Sequence, residues 1–351
     1  MESAEPSPSA DSRGRGRLHL AARIEDAFHG FRERRGRRRG LVPTIVPFPG
    51  YGGDGWMRVL GRVILVKPGR RAPDRYTSIR GWRSFLGIPV RDAEIHVRAG
   101  DIEHVIHADR GGVIDVRVDA ALPAGWGAVL LTLEGSDAIE APVFVVDESV
   151  RFGLVSDIDD TVVVTSLPRP LLAAWTTFVV NEHARRPVPG MSVLYDRLMA
   201  AHPGSPVVYL STGAWNIVPT LNRFLTRHLY PRGAYLLTDW GPTPDRWFRS
   251  GQQHKAENLA RLAEEFPQVR WLLVGDDGQH DETRYGEFAA AHPQNVAAVA
   301  IRQLTAGEAV LAGGRSDHDE HGNGAPWVYG VDGAELAEQL TELGVLGAPR
   351  A

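Results

Sequence analysis

The hydrophobic pattern of the chain changes character near residue 150. Before that point, short β-rich runs recur between glycine and proline turns, and several alternate apolar and polar residues, as residues 113–118 do. The predicted strands cover residues 59–66, 93–97, 112–118, 128–133 and 141–146. Short alternating strands separated by turn signals predict an antiparallel β-sandwich domain over residues 41–150.

After residue 151, buried apolar runs alternate with segments of helical periodicity. The predicted strands cover residues 153–156, 206–210, 234–238, 269–274 and 296–301, and the predicted helices cover 171–182, 192–200, 218–229, 255–266, 281–291 and 333–343. This alternation predicts parallel βαβ units, and therefore a Rossmann-like α/β domain over residues 151–346. Ligands of such sheets bind beyond the carboxyl ends of the strands, so the residues that follow each strand are candidates for function.

The N-terminal segment is polar and basic. Residues 1–16 mix serine, proline, glycine and arginine, a composition that predicts disorder. Residues 17–40 predict a basic amphipathic helix with Leu20, Ile24, Phe28 and Phe31 on one face. Such a helix can lie on an anionic membrane surface or pack its apolar stripe on the protein. We favour packing and keep peripheral membrane contact through residues 17–39 as the alternative.

Composition narrows the classes of function. The chain has 351 residues, of which 43% are hydrophobic, so more than one domain can form a core. Its net charge of −4 gives no general basic field, and we expect no nucleic-acid partner. It has no cysteine, which excludes thiolate nucleophiles and zinc–thiolate sites. Without an apolar run of membrane-spanning length or a secretory signal, we expect a soluble, cytoplasmic protein, with peripheral membrane attachment as the alternative.

Three carboxylates follow the first strand of the α/β region. The run Asp157-Ile158-Asp159-Asp160-Thr161 places like charges side by side, which costs free energy unless a cation neutralises them or one carboxyl stays protonated. Asp157 and Asp159 are spaced as a nucleophile and its acid–base partner would be on a turn. The alternative is a solvated acidic turn.

Two later strands also end in polar residues. Ser211-Thr212-Gly213 follows the strand at 206–210 and offers hydroxyl and backbone donors to an anion. Asp276, together with Asp277 and Asp281, follows the strand at 269–274. Because parallel strands end at a common edge, these carboxylates and Asp157 would form an oxygen-rich site suited to Mg²⁺.

Lys255 lies at the start of the predicted helix 255–266. The chain has two lysines, Lys67 and Lys255, among its 39 lysine and arginine residues, so a lysine at this place suggests a need for a compact charge. It could hold the nucleophilic carboxylate and a phosphate oxygen together, or it could be a surface lysine. Three other groups of polar residues are interpreted as loops. Arg70, Arg71 and Arg75 form a solvated basic patch, and His280 is a loop histidine or a substrate contact. His318, Asp319 and His321 lie in a flexible acidic loop, with a metal site as the alternative.

The order of these parts resembles a known family. Asp-x-Asp-x-Thr, then Ser-Thr, then lysine, then Gly-Asp-x4-Asp resembles the four-motif pattern of the haloacid dehalogenase superfamily over roughly residues 152–302. The run 156–161 looks like the Ser-Asp-Ile-Asp-Asp-Thr signature of the catalytic domain of actin-patch-associated phosphatidate phosphatases, relatives of the lipins. The segments 254–285 and 301–302 are similar to later parts of that domain. Residues 211–216 depart from its expected Ser-Asn-Ser-Pro-Trp, and Asp277 replaces the more usual serine.

The resemblance implies a Mg²⁺-dependent phosphomonoester hydrolase that converts phosphatidate to diacylglycerol and phosphate. It implies that Asp157 attacks phosphorus to form an aspartyl-phosphate and that Asp159 acts as acid and base. The implied metal set is Asp157, the backbone carbonyl of Asp159, Asp276 and Asp281, with Asp277 as competitor for the role of Asp281.

Further roles follow from the same resemblance. Ser211 and Lys255 would bind the phosphoryl oxygens, with Thr212 and Gly213 in the same substrate-binding loop. Asp160 would support the turn and Thr161 would cap it. The alternatives are a phosphatase of a soluble phosphomonoester or of a phosphoprotein, and an inactive scaffold that binds a partner through its β-sandwich.

Overall fold

The computed structural model describes residues 30–68, 87–164, 186–238, 244–278, 281–312 and 324–347, which form two β-sheets with associated helices. The strands are β1 Val42–Gly53, β2 Trp56–Val66, β3 Ile88–Pro89, β4 Glu94–Ala99, β5 Ile102–His107, β6 Val113–Val118, β7 Gly125–Thr132, β8 Ile139–Val145, β9 Phe152–Ser156, β10 Val207–Ala214, β11 Ala234–Thr238, β12 Arg270–Asp276, β13 Val296–Arg302 and β14 Trp327–Gly330. The labelled helices are α1 Met191–Ala201, α2 Val218–Arg227, α3 Pro244–Glu265, α4 Asp281–Ala291, α5 Ala306–Ala312 and α6 Gly333–Glu342. Residues 30–38 are also helical.

The first sheet has the strand order β3-β2-β1-β8-β7-β4-β5, and β6 pairs with β2. Its strand pairs are antiparallel except β1 and β8, which run parallel over Gly50–Gly52. Contacts between β5 and β6 show that the sheet curls over a cluster of buried side chains, among them Met57, Val97 and Leu131. The antiparallel, β-rich character predicted for residues 41–150 is confirmed, as one eight-stranded sheet, while its description as a β-sandwich domain stays a prediction. The five predicted strands correspond to β2, β4, β6, β7 and β8.

Strand β1 was not predicted because it contains Pro43, Pro47 and Pro49. Proline lacks the N–H that a ladder needs, so three prolines argue against an interior strand. The structure accommodates them because β8 pairs with β1 only at Gly50–Gly52, beyond the last of the three. Strand β5 was missed for another reason: most of its residues are exposed, including Glu103 and His107, so its apolar alternation is weak.

The second sheet contains six parallel strands in the order β11-β10-β9-β12-β13-β14. Numbered within the sheet this order is 3-2-1-4-5-6, the order of doubly wound nucleotide-binding sheets. The chain moves outward from β9 on one side and from β12 on the other, so a crevice is expected outside the carboxyl ends of these two neighbours. The mixed α/β class is confirmed. Residues at the carboxyl ends of β9 and β12 are therefore the candidates for function.

Two local predictions need correction. Helix α3 begins at Pro244, so Lys255 lies within the helix and not at its start; proline is well suited to a first helical turn. Strand β10 extends to Ala214, so Ser211, Thr212 and Gly213 lie within it, in a stretch where the pairing with β11 is irregular.

Several predictions fall outside the described residues. These are the disordered segment 1–16, the helical stretch 17–29, the helix 171–182, and the loop residues Arg70, Arg71, Arg75, His280, His318, Asp319 and His321. In the described part of the chain, the helices are too short or too polar to span a bilayer.

Besides its own buried cluster, the first sheet contributes side chains to the core of the second sheet. Phe48, Trp56 and Leu60 from the first sheet belong to the same buried cluster as Phe152 of β9. Phe48 stacks on Trp215, which directly follows β10, with ring centroids 5.1 Å apart and planes inclined by 5°. The proposed division into domains at residues 40 and 150 therefore stays a prediction, because this core is continuous across the second boundary.

Candidate active site

The turn after β9 is held in place by buried apolar residues and backbone hydrogen bonds. All five residues of β9 are buried, and the N–H of Asp157 donates to the carbonyl of Val274 at 2.8 Å, which continues the contact with β12. Ile158 is fully buried, and its carbonyl accepts hydrogen bonds from Val162 and Val163 at 3.0 and 3.1 Å. The apolar residue between the carboxylates therefore fixes the turn that presents them.

Asp160 occupies the strained position of this turn. Its φ of 58° lies in the left-handed region, which aspartate tolerates better than most residues. Its N–H donates to Val163 at 2.8 Å, and its carbonyl accepts from Nη1 of Arg302 at 2.8 Å. These contacts agree with the supporting role predicted for Asp160. The hydroxyl of Thr161 is buried and makes no hydrogen bond within the described residues, so the predicted cap is not seen.

Lys255 lies between two carboxylates. Its Nζ is 2.6 Å from Oδ1 of Asp157 and 2.6 Å from Oδ1 of Asp281. All three residues are buried, with 7% or less of each exposed. Helix α3 thus carries its lysine to the carboxyl end of β9, a contact between residues 98 positions apart in sequence.

The neighbouring residues Asp276 and Asp277, at the end of β12, point in different directions. Oδ1 of Asp276 accepts a hydrogen bond from the N–H of Gly278 at 2.7 Å, and Asp276 lies beside Asp157. Oδ1 of Asp277 accepts from the N–H of Leu304 at 2.9 Å, beyond β13. Successive side chains of a strand point to opposite faces, which explains the divergence. Of Asp277 and Asp281, the structure brings Asp281 to Asp157.

Asp281 reaches this position because Gly275 allows close packing. A Cβ at Gly275 would lie 2.7 Å from Oδ2 of Asp281 and 2.7 Å from a ring carbon of Tyr285. Asp281 begins helix α4, where a negative charge is favourable to the helix dipole. Its Oδ2 is buried and has no hydrogen-bond partner in the described part of the chain, so one carboxylate oxygen remains available to a ligand.

Asp157, Asp276 and Asp281 form an acidic cluster, in which one carboxylate oxygen of each lies within 4.8 Å of the others. Three buried carboxylates face one ammonium group, so negative charge is in excess at neutral pH if all are ionised. Hard oxygen ligands, excess negative charge and the unsatisfied oxygen of Asp281 all fit a divalent cation. The sequence predicted these three residues as ligands, and the structure brings them together.

Burial controls the protonation of the site. Burial raises the pKa of the Asp157 carboxyl to about 8, the charges of Asp281 and Asp159 add to the rise, and Lys255 opposes it. Burial by itself would lower the pKa of Lys255, but Asp157 and Asp281 outweigh it and raise that pKa above its ordinary value. The lysine therefore stays charged, and further positive charge at the cluster would favour the ionised form of Asp157.

Ser211 of β10 lies beside Asp159, which is in the turn after β9. The hydroxyl of Ser211 is 3.4 Å from Oδ2 of Asp159, and the N–H of Gly213 donates to Oγ of Ser211 at 3.0 Å. The carbonyl of Thr212 accepts from Thr238 at 2.7 Å. The Thr238 contact thus links β10 to β11, and Ser211 is placed beside the half-buried Asp159.

The sequence did not predict two supporting contacts. Arg302 is buried at the end of β13, donates to the Asp160 carbonyl, and pairs with Glu308 at 2.9 Å. The hydroxyl of Tyr195 on α1 is 2.6 Å from Oγ of Ser156. An arginine that ends the apolar run of β13 was the available signal for the first contact. Tyr195 gave no signal, because it follows the helical period of a core residue.

A cleft of about 1710 Å³ lies away from the acidic cluster. It is bounded by β1, β8, α1 and α2, with Pro47, Pro142 and Leu225 among its lining residues. No residue of the acidic cluster lines it, so its volume does not describe the candidate active site.

Comparison with known proteins identifies the segment that contains this site. Residues 152–303 match the family described as "Phosphatidate phosphatase APP1, catalytic domain". The predicted resemblance to that domain is therefore confirmed.

Two curated proteins are similar to part of the chain. Phosphatidate phosphatase APP1 of Saccharomyces cerevisiae is 25% identical over 152 residues, which cover 43% of this chain and 25% of the yeast protein. An uncharacterized protein of Schizosaccharomyces pombe is 26% identical over 183 residues, which cover 50% of this chain and 30% of that protein. The alignments thus span less than a third of either relative.

Among solved structures, a carbohydrate acetylesterase from Xanthomonas citri aligns with 78% of this chain and 73% of its own, with 11% identity and a TM-score of 0.28. A likeness at this level carries no argument about fold or function.

Proposed function

We propose that the chain is a Mg²⁺-dependent phosphomonoester hydrolase, with phosphatidate as its substrate and an aspartyl-phosphate on Asp157 as its intermediate. The observation that carries the proposal is the contact of Lys255 with both Asp157 and Asp281, at the carboxyl ends of the two central strands of a parallel sheet. The 3-2-1-4-5-6 strand order and the four motifs also support a haloacid dehalogenase-like fold for residues 151–346.

Asp157 acts as the nucleophile. One carboxylate oxygen attacks phosphorus while the phosphorus–oxygen bond to the leaving group breaks, and hydrolysis of the aspartyl-phosphate then releases phosphate. Lys255 holds Oδ1 of Asp157 and supplies positive charge beside the transferred group. A Mg²⁺ ion held by Asp157, Asp276 and Asp281 would supply further positive charge to neutralise the phosphoryl oxygens and favour ionised Asp157.

Asp159 supplies and removes protons. It is half-buried and lies within 3.4 Å of the Ser211 hydroxyl, in the same turn as Asp157. In the first step its carboxyl protonates the leaving alkoxide, and in the second the resulting carboxylate takes a proton from the attacking water. Ser211 orients Asp159 and, with Thr212, Gly213 and Lys255, contacts the phosphoryl oxygens.

The choice of phosphatidate rests on the family matched by residues 152–303 and on the name of the yeast relative. The same catalytic residues would serve a soluble phosphomonoester or a phosphoprotein. A substrate panel with Mg²⁺, containing phosphatidate in mixed micelles beside soluble monoesters, separates these substrates. Phosphate release from no member of the panel would support the inactive scaffold instead.

Replacement of the nucleophile tests the mechanism. In Asp157→Asn the neutral amide cannot form the phospho-enzyme, so turnover of a soluble aryl phosphate should fall about 1000-fold or more. Asp196→Asn makes the same change at an exposed position of α1 and should retain wild-type turnover. Near-wild-type turnover by Asp157→Asn would falsify the assignment of the nucleophile.

A further inference from the structure

A strongly basic face is exposed on the helix at residues 30–38. Residues 30–40 contain six arginines and one glutamate, although the whole chain has a net charge of −4. Phe31, Arg34, Arg35 and Arg38 are exposed and follow the i, i+3, i+4, i+7 spacing of one helix face. Phe31 is 55% exposed. A cluster of exposed arginines is attracted to an anionic membrane surface, and an exposed aromatic ring beside them can add apolar contact with that surface.

The opposite side of this helix is attached to the first sheet. Gly36 is buried, and a Cβ there would lie 2.7 Å from Leu65 of β2 and 3.0 Å from Ile88 of β3. The helix at Gly36 thus packs directly against side chains of β2 and β3. The arginine face is therefore fixed on the folded protein, and packing and surface binding use different sides of the helix.

The alignment of β2 with α3 shows which end of the molecule carries this helix. Arg58 of β2 pairs with Glu265 of α3 at 2.6 Å, and Asp115, which is opposite Leu60 of β2, pairs with Arg261 at 2.9 Å. The direction along β2 from Arg58 to Val66 is therefore the same as the direction along α3 from Glu265 back to Lys255.

The distances along these elements place the helix at the level of the catalytic edge. Leu65 is five residues past Leu60, about 16 Å along a strand. Lys255 is six residues before Arg261, about 9 Å along a helix. Leu65, and with it Gly36, therefore lies at the level of Lys255 or beyond it, on the side where the carboxyl ends of the parallel strands open. Lys67, exposed directly after β2, adds a positive charge at this end.

We propose that the face formed by Phe31, Arg34, Arg35 and Arg38 binds the negatively charged surface of a phospholipid bilayer and turns the catalytic edge toward it. The proposal rests on the proposed action on a phospholipid, and it deepens that action by naming the surface that meets the membrane. Arginine side chains near an anionic bilayer are attracted to it, and an inserted phenylalanine adds apolar contact. A substrate in that bilayer would then lie on the same side of the protein as Asp157.

Vesicle binding tests the proposal with the full-length chain. Sedimentation is measured with phosphatidylcholine vesicles and with vesicles that also contain phosphatidylserine, a lipid chosen because it is not a phosphomonoester and so does not probe the catalytic site. The wild-type protein should bind the phosphatidylserine vesicles more strongly, and added salt should weaken this binding. The triple variant Arg34→Gln, Arg35→Gln, Arg38→Gln should weaken partitioning on the order of 100-fold.

Two matched variants serve as controls. Arg34→Lys, Arg35→Lys, Arg38→Lys keeps the charge and should keep most of the binding. Arg98→Gln, Arg110→Gln, Arg227→Gln removes three exposed arginines elsewhere and should bind as wild type does. Near-ultraviolet circular dichroism confirms that each variant is folded. Equal binding by wild type and the 34/35/38 glutamine variant overturns the proposal. Retention of single-stranded RNA by this face without binding to vesicles also overturns it, in favour of a nucleic-acid surface.

Failure of this inference is distinguishable from failure of the proposed function. Release of phosphate from a soluble aryl phosphate by the wild-type protein tests the catalytic site without a membrane. Turnover without vesicle binding rejects only the membrane surface. Vesicle binding without turnover of any monoester rejects only the phosphatase.

Discussion

At the scale of single residues, Lys255 and the acidic cluster define the candidate site. One ammonium group touches two buried carboxylates, and Asp276 adds a third beside them. Lysine has a compact charge on a flexible stem, which suits contact with two separate carboxylates better than the planar fork of arginine does. The remaining negative charge and the unsatisfied oxygen of Asp281 favour a cation.

Cation binding should be visible without any substrate. A ligand that binds only the folded state stabilises it, by about 2.7 kcal/mol at a concentration 100 times its dissociation constant. Added Mg²⁺ should therefore raise the thermal midpoint of the wild-type protein, and Asp281→Asn should lose most of this shift. Asp196→Asn serves as the control and should keep the full shift. An equal shift in Asp281→Asn would count against the cluster as the metal site.

The role of Asp159 can be tested by measuring whether the phosphorylated enzyme accumulates. Asp159→Asn removes the group that activates water, so the second step should slow more than the first. With a labelled aryl phosphate whose leaving group needs little protonation, acid quench should trap phosphate on the protein. The double variant Asp157→Asn, Asp159→Asn should trap none, because the attacking carboxylate is gone. Label bound equally by the single and double variants would contradict the roles given to both aspartates.

At the scale of elements, the approach of α4 to β12 assembles the acidic cluster. The strand supplies Asp276 and the helix supplies Asp281, and Gly275 lies between them with no room for a side chain. Tyr285, one turn further along α4, is fully buried and donates to the Val274 carbonyl at 3.1 Å. The distance between two ligands is thus set by one glycine.

Gly275→Ala should separate these elements. The added methyl group would meet Asp281 and Tyr285 at 2.7 Å, so we expect a loss of about 1–3 kcal/mol of unfolding free energy and weaker Mg²⁺ binding. Gly307→Ala is the control: the site on α5 has nothing within 4 Å, and alanine should stabilise a helix there by up to about 1 kcal/mol. Urea unfolding measures the stability of both variants, with and without Mg²⁺. Unchanged stability and metal affinity in Gly275→Ala would show that α4 adjusts freely.

At the scale of the whole molecule, a charged network attaches the first sheet to helix α3. Arg58 contacts Asp115 at 2.7 Å and Glu265 at 2.6 Å, while Arg261 contacts Asp115 at 2.9 Å. The hydroxyl of Tyr51 donates to Glu265 at 2.8 Å. Because α3 also carries Lys255, the first sheet restrains the helix that positions the lysine.

Acid should weaken this attachment. Burial would raise the pKa of Asp115, but Arg261 and Arg58 outweigh it and hold that pKa below its ordinary value of 3.8. Its contribution to stability is therefore complete above pH 3.8 and is lost as the pH falls through the lower, folded-state pKa. Asp115→Asn should lower the free energy of unfolding by about 1–3 kcal/mol at neutral pH. This difference from wild type should shrink as the pH falls through the folded-state pKa of Asp115.

Urea unfolding at a series of pH values measures this difference. Asp119→Asn, an exposed carboxylate just after β6, is the control and should change stability little at any of them. A constant difference between wild type and Asp115→Asn from neutral to acid pH would contradict the role assigned to the ionised carboxylate.

The sequence by itself determined the local elements and the chemistry of the strand ends. Strands β9, β11 and β12 and helix α4 follow from apolar runs and helical period, which depend on near neighbours in the chain. Carboxyl ends of parallel strands share an edge, so Asp157 and Asp276 could be placed together without coordinates. The motif order was specific enough to indicate the family that residues 152–303 match.

Only the tertiary structure decided relations between distant segments. Whether Asp277 or Asp281 joins the cluster depends on the approach of α4 at Gly275. The proline-rich β1 is a strand because it pairs with β2, while β8 pairs with it only beyond its prolines. The contacts of Arg302 with the Asp160 carbonyl and of Arg261 with Asp115 join segments far apart in the chain. A local sequence pattern indicates which residues favour burial or a helix. It does not record which distant group each one meets, because packing of the whole chain decides that.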